Sequence, residues 1–156
     1  MKTNKLDVKI LFFREARELY ASLAPATASS AGFDLRADLP ADSPLLIAPG
    51  ERAPVPSGLA VEPLRAGVAG FVYSRSGLGA VKGLTVAQGV GLIDPDYRGE
   101  IQIFLLNTSR ESHTVRRGDR VAQLVFQPFF QPAFSVAEAL GETERGAGGF
   151  GHTGKQ

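Results

Sequence analysis

Ten prolines and eighteen glycines divide this 156-residue chain into short apolar runs. Both residues interrupt helices, because proline lacks the amide donor and glycine loses more backbone entropy on ordering than any other residue. Short apolar runs bounded by such residues are typical of strands, so the sequence predicts an all-β domain. A distorted jelly roll or related β-barrel is the architecture that many short strands with Gly/Pro-rich turns favour.

The apolar pattern places the candidate elements along the chain. Alternation over residues 100–103 predicts a strand with one buried face, whereas residues 104–106 lose the alternation and are expected to be buried on both faces. A helix is predicted over residues 14–23, and a single helical turn over residues 135–140. The predicted strands cover residues 8–13, 32–37, 45–48, 53–59, 70–73, 101–106, 112–115 and 121–126.

The chain is expected to form one domain followed by a short extension. A chain of this length buries roughly two thirds of its unfolded surface in a single core. The sequence contains no internal repeat, and no linker precedes about residue 141. We therefore expect a single β-domain over residues 1–140 and a flexible C-terminal arm over residues 141–156.

Composition and charge exclude several classes of protein. A hydrophobic content of 44%, with 21% charged residues, is ordinary for a globular domain. The net charge of +1 argues against a protein that coats nucleic acid. The absence of cysteine excludes disulfides and thiolate metal sites. Because the apolar runs are short and the N-terminus lacks the apolar core of a signal peptide, we expect a cytoplasmic protein without a membrane partner.

Residues 145–156 contain five glycines, one arginine and one phenylalanine, which cannot build a core. Such a segment is either a disordered end or a flap that becomes ordered on a ligand. Arg145 supplies fixed charge, the Thr153 hydroxyl and the glycine amides can donate to an anion, and Phe150 offers a flat face to a ring. This content favours a flap that closes on phosphates and a base.

Residues 91–100 carry the next strongest signal, because an apolar strand there leads into Asp94, Asp96, Tyr97 and Arg98 before a glycine turn. One interpretation is an ordinary surface hairpin, since Asp-Pro-Asp is common in turns. The other is that one carboxylate acts as a general base next to water, on a turn that Pro95 stiffens. In that case Tyr97 would pack against a substrate ring.

Polar residues at three further positions are candidates for binding. Arg75, Ser76 and Gly77 follow a predicted strand and could form an oxyanion site, although taken alone they are better explained by a plain exit from the strand. Asp34 lies in an apolar strand and must be paired, solvated or near a metal. Arg120 is expected to make an internal structural bond.

The two histidines are far apart in the sequence and form no metal site. His113 is expected to be exposed on an edge strand. His152 lies in the tail, where a contact to phosphate is possible.

Together, five segments resemble the five ordered motifs of the trimeric dUTP pyrophosphatases (dUTPases). They occur in the family order, and the resemblance covers nearly the whole chain, from residue 5 to residue 155. It implies a jelly-roll subunit and a homotrimer with active sites shared between subunits. One subunit would supply the phosphate-binding motifs, a second the uracil hairpin, and a third the arm that closes the site. The segments are residues 31–37, 75–79, 91–100, 117–124 and 145–155.

The resemblance also implies a role for individual residues. Asp94 would activate the water that attacks the α-phosphorus of dUTP, which releases dUMP and pyrophosphate. Tyr97 would lie under the deoxyribose and exclude a 2′-hydroxyl. Mg²⁺ would be held mainly by the three phosphates, with Asp34 acting through metal-bound water. The implied substrate-binding residues are Arg75, Ser76, Gly77, Gly89, Gly91, Ile93, Tyr97, Gln123, Arg145, Phe150, Gly151, His152 and Thr153.

Two other readings stay open on the sequence. A dCTP deaminase shares the fold, but that family expects a second serine followed by Ala-Arg after the Arg-Ser pair, and a glutamate on the strand after the hairpin. Here Gly77 and Leu78 follow Arg75-Ser76, and residues 101–104 contain no glutamate. The second alternative is a non-catalytic trimeric module that binds nucleotide or a protein partner and signals through its flap. Gln88 stands where many dUTPases have Asn or Gly, so no uracil contact is assigned to it.

Overall fold

The computed structural model describes residues 5–149 of the chain, and strands dominate this part. A 3₁₀ helix spans Ala16–Tyr20 and a π-helical turn spans Gly77–Val81. Neither these two elements nor any other described helix has the length and apolar content to cross a bilayer. The strands are Val8–Phe12 (β1), Phe33–Arg36 (β2), Leu45–Ile47 (β3), Arg52–Pro56 (β4), Leu59–Pro63 (β5), Val68–Tyr73 (β6), Leu84–Val86 (β7), Val90–Ile93 (β8), Gln102–Asn107 (β9), His113–Val115 (β10) and Arg120–Pro128 (β11).

The strands form antiparallel sheets around a shared core. The largest sheet has the order β2, β11, β6, β8, and a second has the order β4, β9, β7. Strand β1 pairs with β5, and β3 pairs with β10. The arrangement confirms the predicted all-β class and is consistent with a jelly roll. Core side chains that are at most 1% exposed include Leu35, Val55, Ile103, Leu105 and Leu124.

Residues 53–59 do not form the single strand that was predicted, because the chain turns at Ser57 and Gly58. Gly58 has a φ of +73°, a left-handed conformation that glycine adopts without strain. A Cβ at this position would also collide with the side chain of Ala16. The turn separates β4, which pairs with β9, from β5, which pairs with β1.

Strand β9 keeps its alternation to its end, so the prediction of burial on both faces over residues 104–106 is wrong for the single chain. Phe104 is 47% exposed, whereas Leu105 is fully buried. The predicted helix over residues 14–23 is reduced to the 3₁₀ helix, and residues 135–140 contain no helical turn. Strand β7 and the part of β5 beyond Leu59 are additional to the predicted strands.

His113 was predicted to be exposed on an edge strand; the edge strand is confirmed, but the exposure is wrong. The residue is half-buried on β10, opposite Ile47 of β3. Its ring Nε2 lies 3.0 Å from the Ser109 hydroxyl. The pairing of β10 with β3 and this hydrogen bond hold the imidazole ring close to the domain, which reduces its exposure.

Strand β11 runs between β2 and β6 and sets the geometry of the candidate site. In the register of these strands, Gln123 lies opposite Asp34 on one side and Tyr73 on the other. The register of β11 against β2 shifts between Arg120 and Ala122. Polar side chains from three segments that are distant in the sequence therefore meet at this end of the sheet.

Candidate active site

Asp34 holds two arginines from other segments of the chain. Its carboxylate oxygens accept hydrogen bonds from Arg75 Nε at 2.9 Å and from the Arg120 guanidinium at 3.1 Å. The Asp34 and Arg75 side chains are 24% and 28% exposed. The acid in an apolar strand thus has the partners that it requires, and the internal bond predicted for Arg120 is confirmed. These contacts fix the orientation of Arg75.

Gln123 bonds to the segment after β6 that carries Arg75. Its side-chain amide donates to the carbonyl of Ser74 at 3.0 Å, and the Ser74 hydroxyl in turn accepts from the Val86 amide at 2.8 Å. A Cβ built at Gly32 would lie 2.7 Å from the side-chain oxygen of Gln123. Glycine at position 32 therefore leaves the space that the Gln123 side chain occupies.

Ser76 and Gly77 lie exposed on the turn after Arg75. The turn closes on itself, because the amides of Leu78 and Gly79 donate to the Arg75 carbonyl at 3.0 and 2.7 Å. Apart from its chain neighbours and the backbone of its own helical turn, no heavy atom lies within 4 Å of a Cβ built at Gly77. A hydroxyl and an open glycine backbone beside a guanidinium suit an oxyanion.

A cavity of about 300 Å³ opens beside this turn. Arg75, Lys82 and Arg120 bring positive charge to its lining, His113 adds an imidazole, and Asp119 adds one carboxylate. The balance of charge favours an anionic ligand, since a cleft lined mainly by one sign of charge attracts the opposite sign.

The predicted uracil hairpin begins with β8, which is an edge strand of the largest sheet. Gly89 precedes it with a φ of +81°, and the Gly89 amide donates to the Val86 carbonyl at 3.0 Å. Gly91 is buried, and a Cβ there would lie 3.2 Å from the Cβ of Val72. Ile93 closes the strand opposite Gly70. An edge strand presents outward backbone groups that a flat, hydrogen-bonding ring can pair with.

Asp94 and Tyr97 lie on the turn that follows β8. Asp94 is exposed, and its carbonyl accepts from the Tyr97 amide at 3.1 Å. The Tyr97 hydroxyl donates to the carbonyl of Glu100 at 3.0 Å, while its ring packs so closely over Gly99 that a Cβ there would collide with it. The turn therefore presents a carboxylate to solvent beside an aromatic ring that is held in place.

One chain does not bring all the predicted residues together. Strands β6 and β8 are antiparallel, with Gly70 opposite Ile93 and Tyr73 opposite Val90. Asp94 therefore follows one end of this strand pair, whereas Arg75 follows the other. At about 3.3 Å per residue, the two lie roughly 15–20 Å apart. The structure assembles Asp34, Arg75 and Gln123, and it places Asp94 and Tyr97 away from them.

Arg145 lies in an exposed turn of the C-terminal arm. Its Nε donates to the Gly148 carbonyl at 2.9 Å, and the Gly146 amide donates to the Thr143 hydroxyl at 3.1 Å. These contacts are local, so Arg145 is separate from the Asp34 cluster in the single chain. The other predicted arm residues lie outside the described part of the chain: Phe150, Gly151, His152 and Thr153.

The sequence matches those of known proteins over nearly its whole length. The dUTPase family model matches residues 20–154. The chain is 48% identical over 153 residues to the deoxyuridine 5'-triphosphate nucleotidohydrolase of Desulfitobacterium hafniense (strain DSM 10664 / DCB-2), covering 97% of this chain and 98% of that protein. A protein of the same name from Escherichia coli O9:H4 (strain HS) is 43% identical over 152 residues, with 97% and 99% covered. The chain belongs to the dUTPase family.

A solved dUTPase structure has the same architecture. The Staphylococcus bacteriophage 80alpha dUTPase with dUPNHPP superposes with a TM-score of 0.78 at 25% identity, over 98% of this chain and 100% of that one. The family resemblance and the expected enzyme class, dUTP diphosphatase, are confirmed by these matches.

Asp34 is the residue of this site that could help to hold a metal ion, through a metal-bound water. Within residues 5–149, no group of three or more His, Cys, Asp or Glu side chains is arranged to hold a metal ion. Mg²⁺ keeps several of its waters and commonly uses one or two carboxylates with substrate phosphates. An ionised carboxylate offers about four acceptor sites. Asp34 uses two of them for Arg75 and Arg120, so it can also accept from a metal-bound water.

An ion-pair network next to the Tyr97 turn was not predicted from the sequence. Asp38, whose side chain is 1% exposed, pairs with Arg14 at 2.7 Å and also with Arg117. Arg14 pairs with Glu100 as well, and Arg117 pairs with Glu18 at 2.8 Å. The hydrogen bond to Glu100 raises the pKa of Arg14 above its ordinary value, and that to Glu18 does the same for Arg117. Both guanidinium groups therefore stay charged across the physiological range.

Proposed function

We propose that this chain hydrolyses dUTP to dUMP and pyrophosphate, and so keeps uracil out of DNA and supplies dUMP for dTMP synthesis. The observation that carries the proposal is that the family match over residues 20–154 contains every predicted site residue. The assembly of Asp34, Arg75 and Gln123 supports it further, because a fixed guanidinium is suited to phosphate. The cytoplasm is the proposed place of action, without a nucleic-acid or membrane partner.

The triphosphate is proposed to lie along the turn after β6. Asp34 fixes the orientation of Arg75, and the Arg75 guanidinium would donate hydrogen bonds to more than one phosphate oxygen. Ser76, Gly77 and Gln123 would add neutral donors, and Arg145 from an arm would bind the γ end. Mg²⁺, when bound to the phosphates and held through water by Asp34, would neutralise charge on the triphosphate.

The nucleoside is proposed to lie on the hairpin that carries Asp94. Backbone groups around Gly89, Gly91 and Ile93 on the edge of β8 would pair with uracil, and the Tyr97 ring would pack under the deoxyribose. Asp94 would take a proton from water as that water attacks the α-phosphorus. A bond forms from the water oxygen to phosphorus, and the bond to the bridging oxygen breaks, so pyrophosphate leaves.

A homotrimer with shared active sites is proposed because the two halves of the site lie far apart in one chain. Asp94 and Arg75 follow opposite ends of the β6–β8 pair. A second subunit that places its hairpin beside the first subunit's Arg75 turn would complete the site. The jelly-roll domain over residues 1–140 would build the trimer, and the arm over residues 141–156 of a third subunit would close as a flap, with Phe150 stacked on uracil and Gly151, His152 and Thr153 near phosphate.

Mixing two inactive variants tests this shared site. Asp94→Asn and Arg75→Ala chains are each expected to be nearly inactive, whereas co-refolded mixtures should recover activity. With one residue from each of two subunits, random mixing restores roughly a quarter of the sites. Pyrophosphate release measures the recovery, with each variant refolded alone as the control. Mixtures as inactive as the separate variants would place both residues in one subunit.

Tyr97→Ala is expected to weaken the discrimination between dUTP and UTP by about tenfold or more, because the ring no longer blocks a 2′-hydroxyl. The ratio of kcat/KM values for the two nucleotides measures the change. Leu11→Ala, which shortens an exposed apolar side chain on β1, is the control. Unchanged discrimination in Tyr97→Ala would locate the sugar selection elsewhere.

The same-fold alternative, a dCTP deaminase, is tested by comparing two products. Pyrophosphate from dUTP without ammonia from dCTP is the result that the proposal predicts. Ammonia release from dCTP would favour the deaminase. Nucleotide binding without either product would favour the non-catalytic module.

A further inference from the structure

We propose that Arg14 is a positioning residue that holds the sugar-facing ring of Tyr97 in place through Glu100. Arg14 lies outside the five family motifs and has no contact with the substrate in the proposed arrangement. Arg14 would determine how precisely the turn positions the side chains of Asp94 and Tyr97. The inference rests on the proposed function for its catalytic consequence, but its structural part can be tested without any substrate.

Glu100 is fixed at both of its carboxylate oxygens. Both terminal nitrogens of Arg14 donate to it, one of them at 3.1 Å, so the two side chains meet as a fork. The amide of Gly58 donates to the same carboxylate at 2.7 Å. The Glu100 side chain is only 14% exposed, so little water can reach it to replace these donors. Its backbone is therefore held against the β4–β5 turn.

Tyr97 depends on the backbone of Glu100 for its own position. The Tyr97 hydroxyl donates to the Glu100 carbonyl at 3.0 Å, and its ring rests on Gly99, the residue before Glu100. If Glu100 moves, the hydrogen-bond acceptor and the surface under the ring move with it. The turn is thus anchored at one end by the β8 pairing and at the other by the Arg14–Glu100 contact.

Arg14 is itself fixed by a buried acid. Its Nε donates to Asp38 at 2.7 Å, and the Asp38 side chain is 1% exposed. Arg117 also pairs with Asp38 and continues the network to Glu18. Asp38 keeps one arginine if the other is removed, so loss of the Arg14 side chain would not leave this buried carboxylate unpaired.

The backbone of Arg14 supports a role beyond a surface ion pair. Among residues 5–149, Arg14 is the one non-glycine residue with positive φ, at 50°. Side chains other than glycine are uncommon in this region and persist there when surrounding contacts hold them. Glycine adopts this conformation freely, so Arg14→Gly would remove the guanidinium while relieving the backbone. Arg14→Gly therefore removes the contact with Glu100 without adding backbone strain that would disturb the fold.

Arg14→Gly is expected to lower the ratio of kcat/KM for dUTP to that for UTP by between about tenfold and a hundredfold, as a small displacement of a positioning group does. Hydrogen exchange at the Tyr97 amide, which donates to Asp94, should become roughly tenfold faster. Glu100→Gln, which keeps the shape and loses the charge, should change both quantities in the same direction. Glu18→Gln removes an ion pair at the far end of the network and is expected to change neither.

Unchanged selectivity and exchange in Arg14→Gly would overturn the inference. So would equal losses in Arg14→Gly and Glu18→Gln, since these would indicate a general loss of stability. A wild-type chain that fails to hydrolyse dUTP would refute the proposed function. The exchange comparison would still decide whether Arg14 fixes the Tyr97 turn.

Discussion

Asp94→Asn is expected to lower kcat for dUTP hydrolysis by roughly 10²–10⁴, the usual loss when a general base is removed. Asparagine keeps the size and the turn geometry of aspartate but cannot accept the proton from water. Because Asp94 is exposed and its backbone carbonyl closes the turn with the Tyr97 amide, the substitution should leave the fold intact. Binding of dUTP should persist, since phosphate and uracil contacts are made by other residues.

Steady-state kinetics measure the loss of kcat. Equilibrium binding of a non-hydrolysable dUTP analogue shows whether nucleotide binding persists. Asp96→Asn is the matched control, because Asp96 is an exposed carboxylate on the same turn. Asp96→Asn should retain wild-type turnover. Equal turnover in Asp94→Asn and wild type would remove Asp94 from its proposed role and leave it as an ordinary turn residue.

Deletion of residues 145–156 is expected to leave a folded assembly that has lost most of its activity, by roughly 10² or more. The described contacts of Arg145 are with its own turn and not with the core. We expect the deletion to remove little folding energy, because a segment with five glycines and one phenylalanine cannot build a core. The deletion also removes the cation proposed for the γ-phosphate and Phe150, proposed for the uracil face.

Thermal unfolding and sedimentation should give the same melting temperature and size for the deleted and full-length chains, while pyrophosphate release falls. Arg145→Ala in the full-length chain should show a smaller loss, since the rest of the arm remains. A truncated chain that hydrolyses dUTP at the normal rate would refute the proposed flap.

Features that rest on local pattern could be predicted from the sequence. Short apolar runs between glycine and proline predicted the all-β class, and strands such as β1 and β11 lie where the apolar runs predicted them. An acid inside an apolar strand had to have a partner, and Asp34 has Arg75 and Arg120. These inferences hold because the period of a strand and the cost of an unpaired buried charge are local properties.

Features that rest on tertiary contact could not be predicted. The pairing of β4 with β9 and of β5 with β1 is one such feature, whereas the break between them at residues 56–58 carries a Pro-Ser-Gly turn signal that the predicted strand overran. Arg14 joins Asp38 and Glu100 across sequence separations of 24 and 86 residues. Charged residues at such distances carry no periodic pattern. Their pairing is visible only when the fold brings them together.

The separation of Asp94 from Arg75 was likewise invisible in the sequence. Both residues stand next to strands in motifs that occur in the family order, and the resemblance alone assigned them to different subunits. The antiparallel register of β6 and β8 gives a physical reason for that assignment, because it places the two residues beyond opposite ends of the pair. Register depends on which residues pair across strands, which one sequence does not reveal.

The position of the water oxygen in the products tests the central proposal most directly. We would incubate the wild-type chain with dUTP and Mg²⁺ in ¹⁸O-labelled water and analyse both products by mass spectrometry. Attack on the α-phosphorus predicts one ¹⁸O atom in dUMP and none in pyrophosphate. Label in pyrophosphate, or the absence of any dUMP, would contradict the proposed reaction.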